Sequence, residues 1–204
     1  MSEKKGKFIA FEGLDGSGSS TQVELLVKNL RKLGHNAFVT KEPTNNVIGG
    51  LIRGLLTGEW SITPEGFQLL FAADRAHHLS REILPAIEKG NIIVSDRYFF
   101  STFAFGSVDL PLKWLEEINS RFPLPDITFL ILVRPQICLE RIGKTRHHFE
   151  YFEEKTKLEK TLKTYKSLAQ NPKNRIVVID GEKTIDDISK EVLERVNKEL
   201  GGAL

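Results

Sequence analysis

The sequence predicts an α/β fold in which a doubly wound, five-stranded parallel sheet is flanked by helices. Short apolar, β-branched segments alternate with longer segments of helical periodicity along the whole chain. A glycine-rich loop joins the first strand-like segment to the first helical one. The length of 204 residues suits one domain, and no linker, repeat or low-complexity tract divides it. We therefore expect a single domain over residues 1–204.

Five segments have the apolar content of parallel strands that are buried on both faces. In chain order they are KFIAFEG (7–13), NAFVT (36–40), NIIVSD (91–96), DITFLILV (126–133) and RIVVID (175–180). Between them, apolar residues recur at helical spacing. The helical segments are 21–36, ending near Gly34; 47–58; 64–90, ending at Gly90; and 184–200, with Thr184 as the expected N-cap.

Residues 141–157, RIGKTRHHFEYFEEKTK, stand apart because charges and histidines crowd a segment between two further helical patterns. Composition leaves two interpretations of this segment open, a mobile lid or the solvated face of a helix. The five histidines have no carboxylate or cysteine neighbours at the spacing of metal ligands. We therefore expect all five to be surface or lid residues.

Composition excludes several classes of protein. A net charge of +2 gives no general attraction to nucleic acid or to anionic membranes. The single cysteine, Cys138, excludes an internal disulfide framework and suits a reducing compartment. The apolar stretch 127–133 is too short to span a bilayer, and the N-terminal apolar segment is too short for a signal-peptide core. These features predict a cytoplasmic protein without nucleic-acid or membrane partners.

Residues 12–22, EGLDGSGSSTQ, match a phosphate-binding loop at every position but one. Gly13, Gly18 and Ser20 fit the pattern, whereas Ser19 stands where a lysine is expected. The loop amides and the start of the following helix can still bind phosphate without a lysine, and Ser20 has the hydroxyl that normally ligates magnesium. Losing one electrostatic donor commonly costs about 10²–10³ in rate. Two interpretations follow: a silent nucleotide-binding protein, or an enzyme that uses another cation.

A second cluster of candidate residues begins where the third strand ends, which is where open parallel sheets bind ligands. There Asp96 can hold magnesium through water, and Arg97 offers a two-pronged contact to phosphate. Upstream, Phe71 and Arg75 are four residues apart on one helix face. A ring and a guanidinium so placed can stack on a base and hydrogen-bond its edge.

Together these motifs resemble the thymidylate kinase family of nucleoside-monophosphate kinases. The resemblance is carried by FEGLDGSG (11–18), KEP (41–43), IR (52–53), LFAADRA (70–76), DRYFFSTFAF (96–105) and VIDG (178–181), in the family's order and spacing. It implies a P-loop nucleoside-monophosphate kinase fold with a lid at about 141–153. It also implies ATP- and Mg²⁺-dependent phosphorylation of dTMP to dTDP by in-line transfer, serving dTTP synthesis, in a homodimer.

On the ATP side, the resemblance implies that the phosphate loop holds the phosphates and that Asp180 and Gly181 lie beside the adenine, with Arg141 against its face. The loop residues concerned are Gly13, Leu14, Asp15, Gly16, Ser17, Gly18, Ser19, Ser20 and Thr21. Asp15 would organise the phosphates and magnesium during transfer, and Ser20 and Asp96 would be the metal-binding residues.

On the dTMP side, the resemblance implies that Arg53 and Arg97 clamp the phosphate, Phe71 stacks on thymine and Arg75 bonds its O4. The remaining assigned residues are Lys41, Glu42 and Pro43 on the phosphate side, Ser101 and Thr102 in the base pocket, and Phe105, where a ribose 2′-hydroxyl would clash.

Three departures from the family pattern affect these assignments. The loop lysine is Ser19, a base-contacting glutamine common in bacterial members is Gly106, and an Asp-Arg pair common in the lid is replaced by Glu150 and Tyr151. Because Gly106 would loosen the base pocket, a kinase for another deoxynucleoside monophosphate such as dUMP stays an alternative. A catalytically silent nucleotide-binding protein is the other alternative, because of Ser19.

The resemblance also suggests where the missing cation comes from. Some family members carry an arginine beside the loop acid, and others have glycine there and supply the cation from the lid. Gly16 places this chain in the second group. We therefore assign the catalytic cation to Arg146, with Lys144 and Arg141 behind it.

Overall fold

The protein has a five-stranded, all-parallel sheet in the order β2-β3-β1-β4-β5, which confirms the predicted fold class. The structure is a computed structural model and describes residues 6–143 and 151–199, with side chains in the second range from residue 155 onward. The strands are β1 (Lys7–Gly13), β2 (Ala37–Lys41), β3 (Ile92–Asp96), β4 (Ile127–Leu132) and β5 (Ile176–Asp180).

Helices surround the sheet. They are α1 (Ser19–Lys32), α2 (Val47–Leu56), α3 (Pro64–His78), α4 (Leu84–Glu88), α5 (Phe99–Gly106), α6 (Leu112–Asn119), α7 (Pro135–Gly143), α8 (Tyr151–Gln170) and α9 (Ile185–Glu199). The expected N-cap of α9 is confirmed, since the Thr184 hydroxyl accepts a hydrogen bond from the Asp187 amide. Within residues 6–143 and 151–199, no helix combines the length and the apolar character needed to cross a membrane.

The helix expected over 64–90 is interrupted. A π-helical turn, Leu79–Ile83, separates α3 from α4. Pro85 follows this turn and has no backbone N–H, so the regular helical hydrogen bond to the carbonyl four residues earlier cannot form there. The residues on both sides of the turn keep right-handed helical backbone angles.

Both faces of the sheet are covered. Four consecutive residues of β1, Phe8 to Phe11, are buried, although alternate side chains point to opposite faces of a strand. Helices α1 and α9 pack together and against the sheet, as do α5 and α8. This arrangement explains why the strands are apolar without alternation.

The sheet order brings the two predicted phosphate-binding segments together. β1 lies between β3 and β4, and residue Phe11 of β1 is in register with Asp96 of β3. Parallel strands have their carboxyl ends at one edge, so the loop after β1 and the Asp96-Arg97 pair after β3 meet there. The end of β2 joins them, since Lys41 is in register with Asp96.

Candidate active site

The loop between β1 and α1 has the backbone of a phosphate-binding turn. Gly16 and Gly18 adopt φ angles of 80° and 93°, in the left-handed region that favours glycine. Gly18 caps α1 without any side-chain hydrogen bond, so the amides at the helix start remain available to an anion. A Cβ atom at Gly16 would lie 2.7 Å from the carbonyl oxygen of Cys138 on α7. The loop is therefore packed tightly under α7.

The two serines after Gly18 converge on one carboxylate. The Ser19 hydroxyl donates to Oδ1 of Asp96 at 3.0 Å, and the Ser20 hydroxyl donates to Oδ2 at 2.5 Å. Ser19 is only 6% exposed, so the side chain in the expected lysine position turns inward to Asp96 and carries no charge. The Ser20 hydroxyl and the Asp96 carboxylate supply the hard oxygen donors that Mg²⁺ prefers.

Arg97 links the phosphate loop to the start of α5. Its φ angle of 72° is unusual for a residue with a side chain and directs the chain away from β3. Nη1 donates to the Gly13 carbonyl at 2.8 Å and to the Ser101 hydroxyl at 3.0 Å, and Nη2 donates to Asp15 Oδ1 at 2.7 Å. Burial opposes the charge of Arg97, but Asp15 and other nearby acidic groups raise its pKa above the ordinary value, so it stays cationic.

A buried glutamate that the sequence analysis left without a role supports this arrangement. Glu12 accepts hydrogen bonds from the Tyr98 amide at 3.0 Å, the Ser101 hydroxyl at 2.5 Å and the Tyr165 hydroxyl at 2.9 Å. Burial raises the pKa of Glu12 to about 7, although the three donors and Arg97 act to lower it. The only signal in the sequence was a charged residue at the end of an apolar strand.

A cavity of about 360 Å³ lies beside Arg97 and brings together eight of the ten residues assigned to dTMP. Its volume falls within the range of small-molecule sites. The eight are Glu42, Pro43, Phe71, Arg75, Arg97, Ser101, Thr102 and Phe105. Asp15 also lines it, as do four residues that the sequence analysis did not single out: Leu56, Phe67, Gln68 and Tyr98.

Arg75 is held rigidly at the wall of this cavity. Its Nε donates to Glu42 at 2.9 Å, its Nη2 lies 2.7 Å from the same carboxylate and donates to Thr102 at 3.2 Å, and its Nη1 donates to Asn119. The hydrogen bonds use three of the five N–H donors of a guanidinium, and Nη2 also pairs with Glu42, which leaves at least one donor for a ligand. Asn119 on α6 was not anticipated, because nothing in the sequence places α6 near α3.

The other two residues assigned to dTMP do not line the cavity. Arg53 on α2 donates through Nη1 to the Thr44 carbonyl, and Thr44 is itself fixed by Asp74, which accepts from its amide at 2.8 Å and its hydroxyl at 2.6 Å. Lys41 is exposed at the end of β2. Both side chains lie outside the cavity wall in this conformation.

A second cavity, of about 260 Å³, lies on the other side of the phosphate loop. Among the residues assigned to ATP, those that line it are Gly16, Ser17, Gly18, Thr21, Arg141 and Gly181. Arg141 bridges its walls, donating to the carbonyls of Ser17 at 3.2 Å and Gly181 at 3.1 Å. The Asp180 carboxylate instead accepts from the Glu182 amide at 3.0 Å, and Asp180 does not line the cavity.

Two expectations from the sequence are wrong. His78 is not a surface residue: it is buried, with its ring 2.6 Å from the Thr40 hydroxyl and 3.2 Å from Glu42. Gly106 does not loosen the base pocket, because a Cβ atom there would lie 3.0 Å from Leu115 and 3.1 Å from the side chain of Gln68. Neighbouring side chains have taken the space that a residue at 106 would need.

The assignments in the lid fall on the part of the chain that is not described. Lys144, Arg146, His147, His148 and Glu150 lie outside the described residues, and for Tyr151 only the backbone is described. The assignment of the catalytic cation to Arg146 therefore stays a prediction.

Comparison with known proteins gives a consistent result. The family model described as "Thymidylate kinase" matches residues 11–192. The chain is 37% identical to a protein of Pyrococcus horikoshii named "Probable thymidylate kinase", over 97% of this chain and 99% of the relative. Proteins of the same name from Methanosarcina barkeri and Thermococcus gammatolerans are also 37% identical, over 94% and 96% of this chain and 96% and 98% of the relatives.

Proposed function

The chain belongs to the thymidylate kinase family, and we propose that it phosphorylates dTMP with ATP, giving dTDP and ADP. The observation that carries this function is the position of the two cavities on either side of the phosphate loop. Asp15 lines the cavity that suits dTMP, and the next residue, Gly16, lines the cavity that suits ATP. Donor and acceptor phosphates bound in them would approach each other across the loop, and such positioning supplies much of the catalysis of phosphoryl transfer.

On the donor side, the phosphate loop from Gly13 to Thr21 binds the phosphates of ATP. Two features support this role of the loop. The backbone at its glycines and the uncapped start of α1 offer amide donors and a positive helix end to an anion. Arg141, Asp180 and Gly181 bind the adenine side, in keeping with the position of Arg141 between Ser17 and Gly181.

On the acceptor side, dTMP enters the 360 Å³ cavity with its phosphate toward Arg97 and its base toward Phe71 and Arg75. The remaining donor of Arg75 bonds O4, and Phe105 excludes a ribose 2′-hydroxyl. Arg53 and Lys41 approach the phosphate from the rim once it is bound. The other assigned residues, Glu42, Pro43, Ser101 and Thr102, shape the walls.

Ser20 and Asp96 hold Mg²⁺, because their oxygen atoms are adjacent and of the kind that this ion prefers. When bound, the ion neutralises charge on the phosphates of ATP. Asp15 and Arg97, paired at 2.7 Å, organise the reacting phosphates at the same edge of the sheet. An oxygen of the dTMP phosphate attacks in line, so no protein nucleophile is needed.

The charge normally provided by the loop lysine comes from the lid, about residues 141–153, with Arg146 as the catalytic cation and Lys144 and Arg141 behind it. Of these three, Arg141 lies in the described part of the chain, against the phosphate loop. Closure of the lid over both nucleotides excludes water and so suppresses hydrolysis of ATP.

We also propose that the protein acts as a cytoplasmic homodimer in dTTP synthesis. Support for self-association is a set of exposed apolar side chains on α2, α3 and the segment between them: Val47, Leu51, Ile62 and Leu69. Such a surface on neighbouring helices is typical of protein interfaces.

A coupled assay of ADP release tests this function, with ATP and dTMP, with and without Mg²⁺. We expect turnover that depends on all three. Binding of both nucleotides without dTMP-dependent ADP release would instead indicate a silent nucleotide-binding protein. A higher kcat/KM for dUMP or another monophosphate than for dTMP would change the assigned acceptor.

A further inference from the structure

A glutamine on α3 lines the dTMP cavity, and its amide oxygen is buried without a hydrogen-bond partner among the described residues. This residue, Gln68, is 7% exposed, and the atom concerned is Oε1. Buried amide oxygens are almost always paired, because an unpaired one has lost its water without compensation. A cavity-lining amide of this kind is a candidate for a bond to a ligand.

Gln68 shares a helix face with the two residues that bind the base in the proposed function. Phe71 and Arg75 lie three and seven residues further along α3, so all three side chains project from the same side of the helix. All three line the same cavity. A base that stacks on Phe71 and has one edge at Arg75 therefore lies close to Gln68 on the same face of α3.

Gly106 on α5 leaves room for the Gln68 amide. A Cβ atom at residue 106 would lie 3.1 Å from Cδ of Gln68 and 3.0 Å from Cδ1 of Leu115. A larger residue at 106 would have to displace one of these side chains. The absence of a side chain at Gly106 thus makes space for the Gln68 side chain, and the amide group in this space comes from α3.

We propose that Gln68 is a specificity-determining residue that reads the imide edge of the thymine base. When the amide turns toward the cavity, its Oε1 atom accepts a hydrogen bond from N3–H. This inference rests on the proposed function, since it assumes dTMP in this cavity. Cytosine has no N3–H, and although an amide can turn to donate to cytosine N3, Arg75 can only donate and so opposes the amino group at cytosine C4.

The test compares dTMP with N3-methyl-dTMP, which lacks the N3–H donor. Gln68→Met removes the amide and keeps the length of the side chain. We expect the wild-type protein to prefer dTMP over N3-methyl-dTMP in kcat/KM, and Gln68→Met to reduce that preference about tenfold, as for loss of one buried hydrogen bond. The matched control is Gln170→Met, the same substitution at an exposed residue at the end of α8, which should leave the preference unchanged.

An unchanged preference in folded Gln68→Met would overturn the inference while leaving the kinase activity intact. If Gln68→Met does not fold, Gln68→Leu takes its place. A wild-type preference for dTMP over N3-methyl-dTMP smaller than tenfold would also overturn it, without any variant. Failure of the wild-type protein to phosphorylate dTMP would instead overturn the proposed function, and the inference with it.

Discussion

The Nη2 atom of Arg97 lies 2.7 Å from Oδ1 of Asp15, and this ion pair joins the residue after β3 to the phosphate loop after β1. The same guanidinium also contacts the Gly13 carbonyl and the Ser101 hydroxyl. Arg97 therefore sets the distance between the loop that would hold ATP and the cavity that would hold dTMP.

Replacing this guanidinium by an ammonium group should impair transfer strongly. A lysine can place one charge but cannot reach Asp15, Gly13 and Ser101 together, because it lacks the planar fork. We expect Arg97→Lys to lower kcat/KM for dTMP by about 10²-fold or more. The matched control is Arg195→Lys, at an exposed residue on α9. A reduction below tenfold would contradict the role of Arg97.

Glu12 should make stability depend on pH. Because burial raises its pKa to about 7 from an ordinary 4.5, the folded protein holds this proton more tightly than the unfolded chain does. The resulting stability is fully present below pH 4.5 and is lost as pH rises through 7. Relative to Glu12→Gln, the wild-type free energy of unfolding should fall by about 3 kcal/mol over this range.

Urea unfolding of both proteins between pH 4.5 and 8 measures this difference. Tyr165→Phe provides a second comparison, since the Tyr165 hydroxyl donates to Glu12 and lowers its pKa. Without this hydroxyl the pKa of Glu12 should be higher, so the free energy of unfolding should continue to decrease up to a higher pH than in the wild-type protein. A difference between wild type and Glu12→Gln that is the same at every pH would rule out this account of Glu12.

Arg146→Ala tests whether the lid supplies the cation that Ser19 lacks. If Arg146 touches the migrating phosphoryl group, the substitution should lower kcat by about 10²–10³-fold and change the KM for ATP only a few-fold. Arg195→Ala, on the exposed face of α9, is the control. Unchanged turnover would exclude Arg146, and Lys144→Ala and Arg141→Ala would then be compared.

Phe105 should exclude ribonucleotides from the acceptor site. Its ring lies beside Arg97, whose Cζ is 5.2 Å from the ring centroid, and edge-on to Tyr165. Removing the ring opens room for a 2′-hydroxyl, so Phe105→Ala should reduce the preference for dTMP over the ribose analogue about tenfold. The control is Phe38→Ala, at a half-exposed phenylalanine on β2. An undiminished preference would mean that another residue excludes the 2′-hydroxyl.

The exposed leucines on α2 and α3 should support self-association. Leu51 is 45% exposed and Leu69 is 50% exposed. A charge buried in an apolar interface is costly, so Leu51→Glu or Leu69→Glu should shift the protein from dimer to monomer in sedimentation analysis. Leu33→Glu makes the same change at an equally exposed leucine after α1 and should leave the dimer intact. If all three variants remain dimers, the interface does not involve these leucines and lies elsewhere.

The sequence predicted the parts of this protein that depend on local pattern. Strand patterns predicted the parallel sheet, and they placed the phosphate loop after β1 and Asp96 after β3. The strand order then brings these two positions together at one edge of the sheet. The contact of Phe71 and Arg75 with one cavity followed from helical spacing.

What the sequence missed depends on contacts between distant segments. Asn119, Tyr165 and Gln68 reach the cavity or its supports through the packing of α6, α8 and α3, and no local pattern distinguishes them from ordinary helix residues. His78 was misassigned because adjacent histidines give no indication of which one faces Thr40 and Glu42 in the interior. The π-helical turn before Pro85 was missed because the apolar periodicity continues through it.

The absence of a side chain at Gly16 limits how this enzyme could be redesigned. An arginine grafted at that position would meet the main chain of α7, and a positive φ angle already disfavours any larger residue there. The backbone therefore blocks an arginine beside Asp15 within the loop itself. With glycine at residue 16 and an uncharged serine at residue 19, the loop has no cation of its own, so the transferring phosphoryl group depends on cations from other segments, of which Arg97 and Arg141 already lie against the loop.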